Sequence, residues 1–297
     1  MSRAGWRGLL AYVLMVLATL PAWAKDPVAY VVIRPVVNLH RSAREDTDVV
    51  SQALLGARLV QLERTEGWAR IKGDDDYPGW IQISSLRALE AGERYPSSVE
   101  PGKVVEVDAL GANIYPEADV TKHAPVMTAP FGIRLERVNG GKDTSQWLEI
   151  KLPDHRVAWI QRGDVRTDLK PLGLEASLEL AKRFLGVTYT WGGSSSFGFD
   201  CSGFTQTILR SRGVIMPRDA NIQAAWSGLI PVTDRARLQP GDLLFFGKDK
   251  AHITHTGIYL GKGSFIHDTT HDHPRTQISN LGDPYWSKIL VAMRRLK

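Results

Sequence analysis

Apolar residues alternate with polar ones in short runs up to Asp168 and then recur at helical spacing. Residues 60–71 with 77–81, and residues 135–138 with 147–152 and 157–160, share one plan: a strand, a loop, a strand led by tryptophan, a turn, and a further tryptophan-bearing strand. In the second copy Leu148, Ile150 and Leu152 alternate with Trp147, Glu149 and Lys151, the period-two signature of a half-buried strand. Short strands joined by polar or glycine-containing turns predict a small β-barrel of about 65 residues, and two copies predict a tandem pair. The tryptophans, Trp68, Trp80, Trp147 and Trp159, are expected mostly in the barrel cores.

After Asp168 the plan changes. Residues 175–185 place Leu178, Ala181 and Leu185 on one face, with Gly186 as a stop, which predicts an amphipathic helix. A second helix is predicted over 201–212, with Phe204, Ile208 and Leu209 inward and Gly213 at its end, and a short third over 220–226. Strands are predicted at 242–246, 256–260, 264–268 and 289–293, with Gly261-Lys262-Gly263 as a tight turn and residues 271–274 as a polar turn. Helices followed by a strand meander imply an α+β domain, separated from the barrels near Pro171 and Gly173. The expected division is a leader at 1–24, barrels at 28–96 and 97–168, and the α+β domain at 172–297.

The leader follows from Arg3 and Arg7, the apolar run 9–20, Pro21, and Ala22-Trp23-Ala24 as a small-x-small cleavage site. The apolar run is shorter than the ~20 residues a membrane span needs, so cleavage and export to the periplasm or cell envelope are expected, with no stable membrane insertion afterwards. Removing Arg3 and Arg7 lowers the formal charge from +5 to +3, with the remaining basic residues scattered, which gives no case for nucleic acid. A monomer is expected. One cysteine in 297 residues excludes an internal disulfide.

That cysteine carries the candidate chemistry. Cys201 opens the second predicted helix, where free N–H groups and the helix dipole favour an anion, so its thiol pKa is expected to be lowered. His255 and His267 fall on the two strands joined by the Gly-Lys-Gly turn, which makes them neighbours. One histidine can take the thiol proton while the other orients it, the logic of a catalytic triad. His252 is a rival for the second role.

The ordered set Tyr189-Thr190-Trp191-Gly192-Gly193, Asp200-Cys201-Ser202-Gly203-Phe204, Pro217-Arg218, Gln223, Pro240-Gly241-Asp242-Leu243-Leu244-Phe245-Phe246, His255-Thr256-Gly257-Ile258-Tyr259-Leu260-Gly261 and Phe265-Ile266-His267 resembles the NlpC/P60 cysteine peptidases. The barrels resemble bacterial SH3 (SH3b) modules through Val37-Asn38-Leu39-His40, Gly67-Trp68 and Gly79-Trp80, with a more diverged second copy. Together they resemble the γ-D-glutamyl-L-diamino acid peptidases that trim peptidoglycan stem peptides. The resemblance implies a papain-like core with Cys201 as nucleophile, His255 as base, His267 as its orienting residue, and Tyr189 with the Cys201 N–H as oxyanion donors. It implies that Asp200 and Ser202 bind substrate, with Tyr77 and an acidic residue of the first barrel completing a pocket for a free L-alanine amine. Asp48, one methylene shorter than the glutamate of relatives, stands at the acidic position. Arg218 is expected to shape the substrate pocket, and Asp219 to shape it or to cap the next helix. No cofactor or metal is implied.

Two rival functions stay open at this level. His252, His255, His267, Asp268, His271 and His273 are dense enough to raise a metal enzyme, although their spacing matches no compact zinc pattern. The barrels can also be wall anchors of a protein without catalysis. Within the peptidase reading, the substrate is either a released peptide with a free L-alanine or an intact murein stem, and diaminopimelate and L-lysine are both open at its third position.

Overall fold

The computed structural model describes residues 28–138 and 142–297, so the expected leader at 1–24 lies outside the described residues. The first unit has strands β1 (Ala29–Val32), β2 (Val36–His40), β3 (Val49–Leu54), β4 (Arg58–Thr65), β5 (Trp68–Lys72), β6 (Pro78–Gln82) and β7 (Leu86–Ala88). The second has β8 (Val104–Val107), β9 (Gly111–Tyr115), β10 (Met127–Pro130), β11 (Arg134–Arg137), β12 (Trp147–Lys151), β13 (Val157–Gln161) and β14 (Val165–Arg166). Their sheet orders are β3-β2-β6-β5-β4-β1-β7 and β10-β9-β13-β12-β11-β8-β14, the same topology shifted by seven strands. The repeat therefore holds at the level of pairing even where the second copy's sequence has diverged. An edge-on aromatic pair recurs with it, His40 with Trp68 and Tyr115 with Trp147.

The barrel cores correct the expectation for tryptophan. Ala69, Ile71 and Ile81 are fully buried in the first core, while Trp68 and Trp80 are half-buried on the alternate positions of the same strands. Only Trp147 of the four is buried. On a pleated strand the inward face belongs to the residues flanking each tryptophan.

The third unit has α1 (Leu174–Arg183), a two-stranded ribbon β15 (Ser194–Ser195) and β16 (Gly198–Phe199), α2 (Cys201–Ser211), α3 (Ala220–Ala225), then β17 (Leu229–Pro231), β18 (Leu243–Gly247), β19 (Ile253–Gly261), β20 (Ser264–Thr269), β21 (Arg275–Asn280), α4 (Pro284–Ile289) and β22 (Leu290–Leu296). Its sheet runs β17-β22-β18-β19-β20-β21, entirely antiparallel. One face packs Phe245, Ile258 and Ile266 against Phe204 and Ile208 of α2. The other packs Phe246 and Phe265 under Trp286 of α4. In α1 the inward residues are Ser177, Leu180, Ala181 and Phe184, rather than the expected Leu178, Ala181 and Leu185 face, and Leu185 is exposed past the helix end.

Apolar side chains join the three units. Leu55 of the first barrel lies in the second barrel's core, and Phe131 of the second barrel lies in the α+β core, edge-on to Phe184 at 5.4 Å. Each fully buried side chain of this kind contributes about 1.5–3 kcal/mol, so packing can hold the assembly without a disulfide. No helix among the described residues is long and apolar enough to cross a membrane.

Candidate active site

Asp200 is the N-cap of α2, and its Oδ1 accepts from the Gly203 N–H at 2.8 Å. Cys201 is the first helical residue and is buried, 7% exposed. Its Sγ faces the Thr254 carbonyl at 4.0 Å, which sets the thiol against β19 one residue before His255. His255 Nε2 lies 2.7 Å from His267 Nδ1, and His267 Nε2 lies 3.0 Å from Ser279 Oγ. Three adjacent strands, β19, β20 and β21, thus contribute one member each to a line of polar groups. Trp286 packs over it, with ring centroids 5.3 Å from His255 and 4.7 Å from His267.

The line constrains the protons. If His255 donates through Nε2–H to His267 Nδ1, its own Nδ1 keeps a lone pair for the thiol proton. His267 then holds its proton on Nε2 and donates to the Ser279 hydroxyl. Ser279 carried no signal in the sequence, because its strand β21 was not foreseen and a lone serine marks nothing.

Burial sets the resting charges. It pushes the Cys201 thiol up to about 12, with Asp200 adding to the rise and Arg218 and neighbouring N–H groups opposing it. Burial also pushes His255 down to about 3 and His267 well below its usual value. The expected lowering of the thiol pKa is corrected here: loss of solvent outweighs the helix terminus. Burial and the charges of Cys201, Asp200 and Asp268 raise the Tyr189 phenol, so it remains an O–H donor. Its backbone N–H is anchored to the Pro274 carbonyl at 2.9 Å.

Asp200, Ser202 and Arg218 form a closed network. The two Asp200 carboxylate oxygens accept from Gly203 N, Ser202 Oγ, Gly192 N and two nitrogens of Arg218. Arg218 is 2% exposed and also binds Ser202 Oγ at 2.8 Å. The three side chains expected to bind substrate are thus brought together beside Cys201, paired with one another and buried.

Tyr77 is brought to the site, as expected, by the seating of the first barrel. Its hydroxyl lies near Asp219 and Arg218, and burial, with the Asp219 charge adding to it, pushes the phenol up to about 12. Asp219 precedes α3 but its side chain makes no cap hydrogen bond, and its carboxylate lies near Tyr77. Asp48, expected at this place, instead pairs with Arg41 at 3.1 Å on the surface. His252 pairs with Asp249 at 2.8 Å on an exposed loop, away from the histidine line. Among the described residues no group of three or more His, Cys, Asp or Glu is placed to hold a metal ion.

Residues 186–295 match the model of the NlpC/P60 family, and residues 39–86 match that of the bacterial dipeptidyl-peptidase SH3 domain. The γ-D-glutamyl-L-lysine dipeptidyl-peptidase of Bacillus subtilis is 42% identical over 278 residues, covering 84% of this chain and 82% of that protein. The chain belongs to the NlpC/P60 family. The enzyme of the same description from Bacillus cereus is 31% identical over 232 residues, covering 73% of this chain and 66% of that one. An NlpC/P60 structure from Bacillus cereus superposes with a TM-score of 0.75 at 23% identity, covering 90% of this chain and 99% of that chain. An NlpC/P60 endopeptidase from Photobacterium damselae superposes with a TM-score of 0.65 at 14% identity, covering 90% of this chain and 72% of that chain. At these identities the two structures speak for the fold.

The protein is thus a peptidase of NlpC/P60 type with bacterial SH3-like sheets ahead of the α+β unit. The SH3 family model matches the first sheet, and the second is recognised by its identical strand order. The first barrel is tied to the peptidase around the nucleophile. Gln52 accepts from Ser194 N at 3.0 Å, Asp75 accepts from Gln206 at 3.0 Å, and Asp74 pairs with Arg210 at 2.6 Å. At Gly192, φ +73°, a Cβ would come within 2.8 Å of Val49 Cγ1, so only glycine allows this approach of loop and barrel.

Proposed function

We propose that the protein is an exported cysteine peptidase that cleaves the γ-D-glutamyl–diamino acid bond of peptidoglycan stem peptides with a free N-terminal L-alanine. The observation that carries this reading is the placing of Tyr77, a barrel side chain, near the peptidase carboxylate Asp219, next to the buried Arg218. A half-buried carboxylate with a phenol at its side suits a substrate ammonium group, and it takes the part foreseen for Asp48. The names of the Bacillus relatives support the bond and the dipeptidyl specificity.

The chemistry follows from the polar line. Cys201 Sγ attacks the γ-carbonyl carbon of D-glutamate while its proton passes to His255 Nδ1. The oxyanion takes hydrogen bonds from the Cys201 N–H and the Tyr189 hydroxyl, each such donor contributing roughly 3 kcal/mol. His267, held by Ser279, steadies the imidazolium. His255 then protonates the leaving amine of the diamino acid, and water, deprotonated by His255, hydrolyses the thioester. The free L-alanine amine sits against Asp219 and Tyr77, which limits cleavage to peptides already released from the glycan.

The test compares L-Ala-γ-D-Glu-meso-diaminopimelate with the same peptide N-acetylated. Cleavage of the free peptide with at least a hundredfold preference is expected, and equal cleavage of both overturns the amine reading. Inactivation by iodoacetamide and persistence of activity in EDTA are expected together. The reverse pattern overturns the thiol in favour of a metal.

A further inference from the structure

Arg218 is the largest fully buried side chain among the described residues, and every one of its N–H donors is engaged. Nε donates to Ser51 Oγ at 3.0 Å. Nη1 donates to Asp200 Oδ1 at 3.0 Å and Ser202 Oγ at 2.8 Å. Nη2 donates to Asp200 Oδ2 at 2.6 Å and the Gly193 carbonyl at 3.3 Å. Its partners are the residues on either side of the nucleophile, the loop ahead of it, and one serine of the first barrel.

The arrangement answers an electrostatic problem. Asp200 is needed as the cap of α2 and as the acceptor for Gly192 N, yet it puts a carboxylate next to a sulfur that must become anionic. Like charges at such spacing in a buried site oppose each other strongly. A bidentate guanidinium cancels the carboxylate without loosening the cap. We propose that Arg218 is a positioning residue that lets Asp200 cap the nucleophile helix without opposing the thiolate, and that its bond to Ser51 makes the first barrel part of this support.

The inference rests on Cys201 being the nucleophile. The charged and titratable groups around that thiol are Asp200 on its own helix, Arg218 and Asp219 ahead of α3, Tyr189 on the preceding loop, His255 on β19, and Tyr77 from the barrel. Of these, Arg218 alone offsets Asp200 by direct contact.

The test reads thiolate formation directly. Cys201 is the only cysteine, so the pH dependence of iodoacetamide alkylation of the full chain reports this thiol whether or not peptides are cleaved. Arg218→Gln is expected to slow alkylation at pH 7 at least tenfold, Arg218→Lys to slow it less, and Asp200→Asn added to Arg218→Gln to restore the rate. Ser51→Ala is expected to give a smaller slowing of the same sign. An unchanged alkylation profile in folded Arg218→Gln, or no restoration in the double variant, overturns the proposal. If Arg218→Gln does not fold, Asp200→Asn alone decides: with Arg218 unopposed it must speed alkylation, and no acceleration overturns the role. A Cys201-alkylated chain that still cleaves peptide overturns the nucleophile reading and leaves the alkylation result standing.

Discussion

Burial acts on the two reacting groups in opposite directions and with one result. It raises the Cys201 thiol and lowers the His255 imidazole, which favours the neutral form of each. Cys201→Ser keeps the volume and the hydrogen-bonding but loses the soft nucleophile. It is expected to lower kcat at least about 10³-fold while the thermal midpoint moves by little, measured on the free stem peptide. Ser279→Ala removes the acceptor for the His267 Nε2–H and is expected to lower kcat about tenfold with KM unchanged, and a change confined to KM overturns the relay. Asp268 is a separate case. It is fully buried, Thr276 donates to its Oδ2, and its Oδ1 has no hydrogen-bond partner. Burial pushes it up to about 7, from an unfolded value of about 4. The folded state therefore prefers the acid form. Its contribution to stability is complete below about pH 4 and is lost as pH rises through 7. Asp268→Asn is expected to gain stability on the wild type from about pH 4 to pH 7 and to hold that gain above pH 7 in thermal melts, and a difference flat with pH over that window overturns the assignment.

Helix α2 works as a mount for the thiol. Its first turn includes Gly203, where a Cβ would overlap the Gly193 carbonyl, the same oxygen that accepts from Asp200 N and Arg218. The motif glycine is thus a demand for close approach between the helix and the loop ahead of it. Gly203→Ala is expected to cost about 1–3 kcal/mol in urea unfolding and to lower kcat/KM further than that loss explains, because the helix start shifts. The strands behave differently. β19, β20 and β21 are antiparallel neighbours, with one register shift between Tyr259 and Gly261, so strand pairing sets the histidine line.

At the scale of the whole molecule, the barrels are parts of the peptidase site rather than appendages. Phe131 enters the peptidase core and Ser196 Oγ accepts from the Phe131 N–H at 2.9 Å, so the β15–β16 ribbon that leads into Cys201 is held by the second barrel. The first barrel holds the same ribbon through Gln52 and the nucleophile network through Ser51. Phe131→Ala is expected to cost about 3–5 kcal/mol in the full chain, read as a lower thermal midpoint. Gly192→Ala is expected to raise KM for the free-amine peptide more than it lowers kcat, since it pushes Val49 and the Tyr77 barrel away from the site. By contrast the exposed Asp74–Arg210 pair is expected to matter little, under about 1 kcal/mol for Arg210→Ala.

Local pattern was enough for the elements and the chemistry that local pattern controls. Alternation marked the strands of both barrels, helical spacing with glycine stops marked α1 and α2, and the Asp-Cys-Ser-Gly run marked a cysteine, the proposed nucleophile, at a helix start. The Gly-Lys-Gly turn made His255 and His267 neighbours, because a tight turn leaves two strands no other pairing. Tertiary structure decided the rest. Strand β21 and helix α4 have no strong period of their own, and packing over His255 and His267 gives them their form, which is why Ser279 and Trp286 were not foreseen. The thiol pKa turned on burial, a property of the assembled core that no window of sequence contains. The nearness of Tyr77 to Asp219, and the bond of Arg218 to Ser51, depended on how the first barrel sits on the peptidase. Those contacts join residues more than a hundred positions apart, so only the folded chain brings them together.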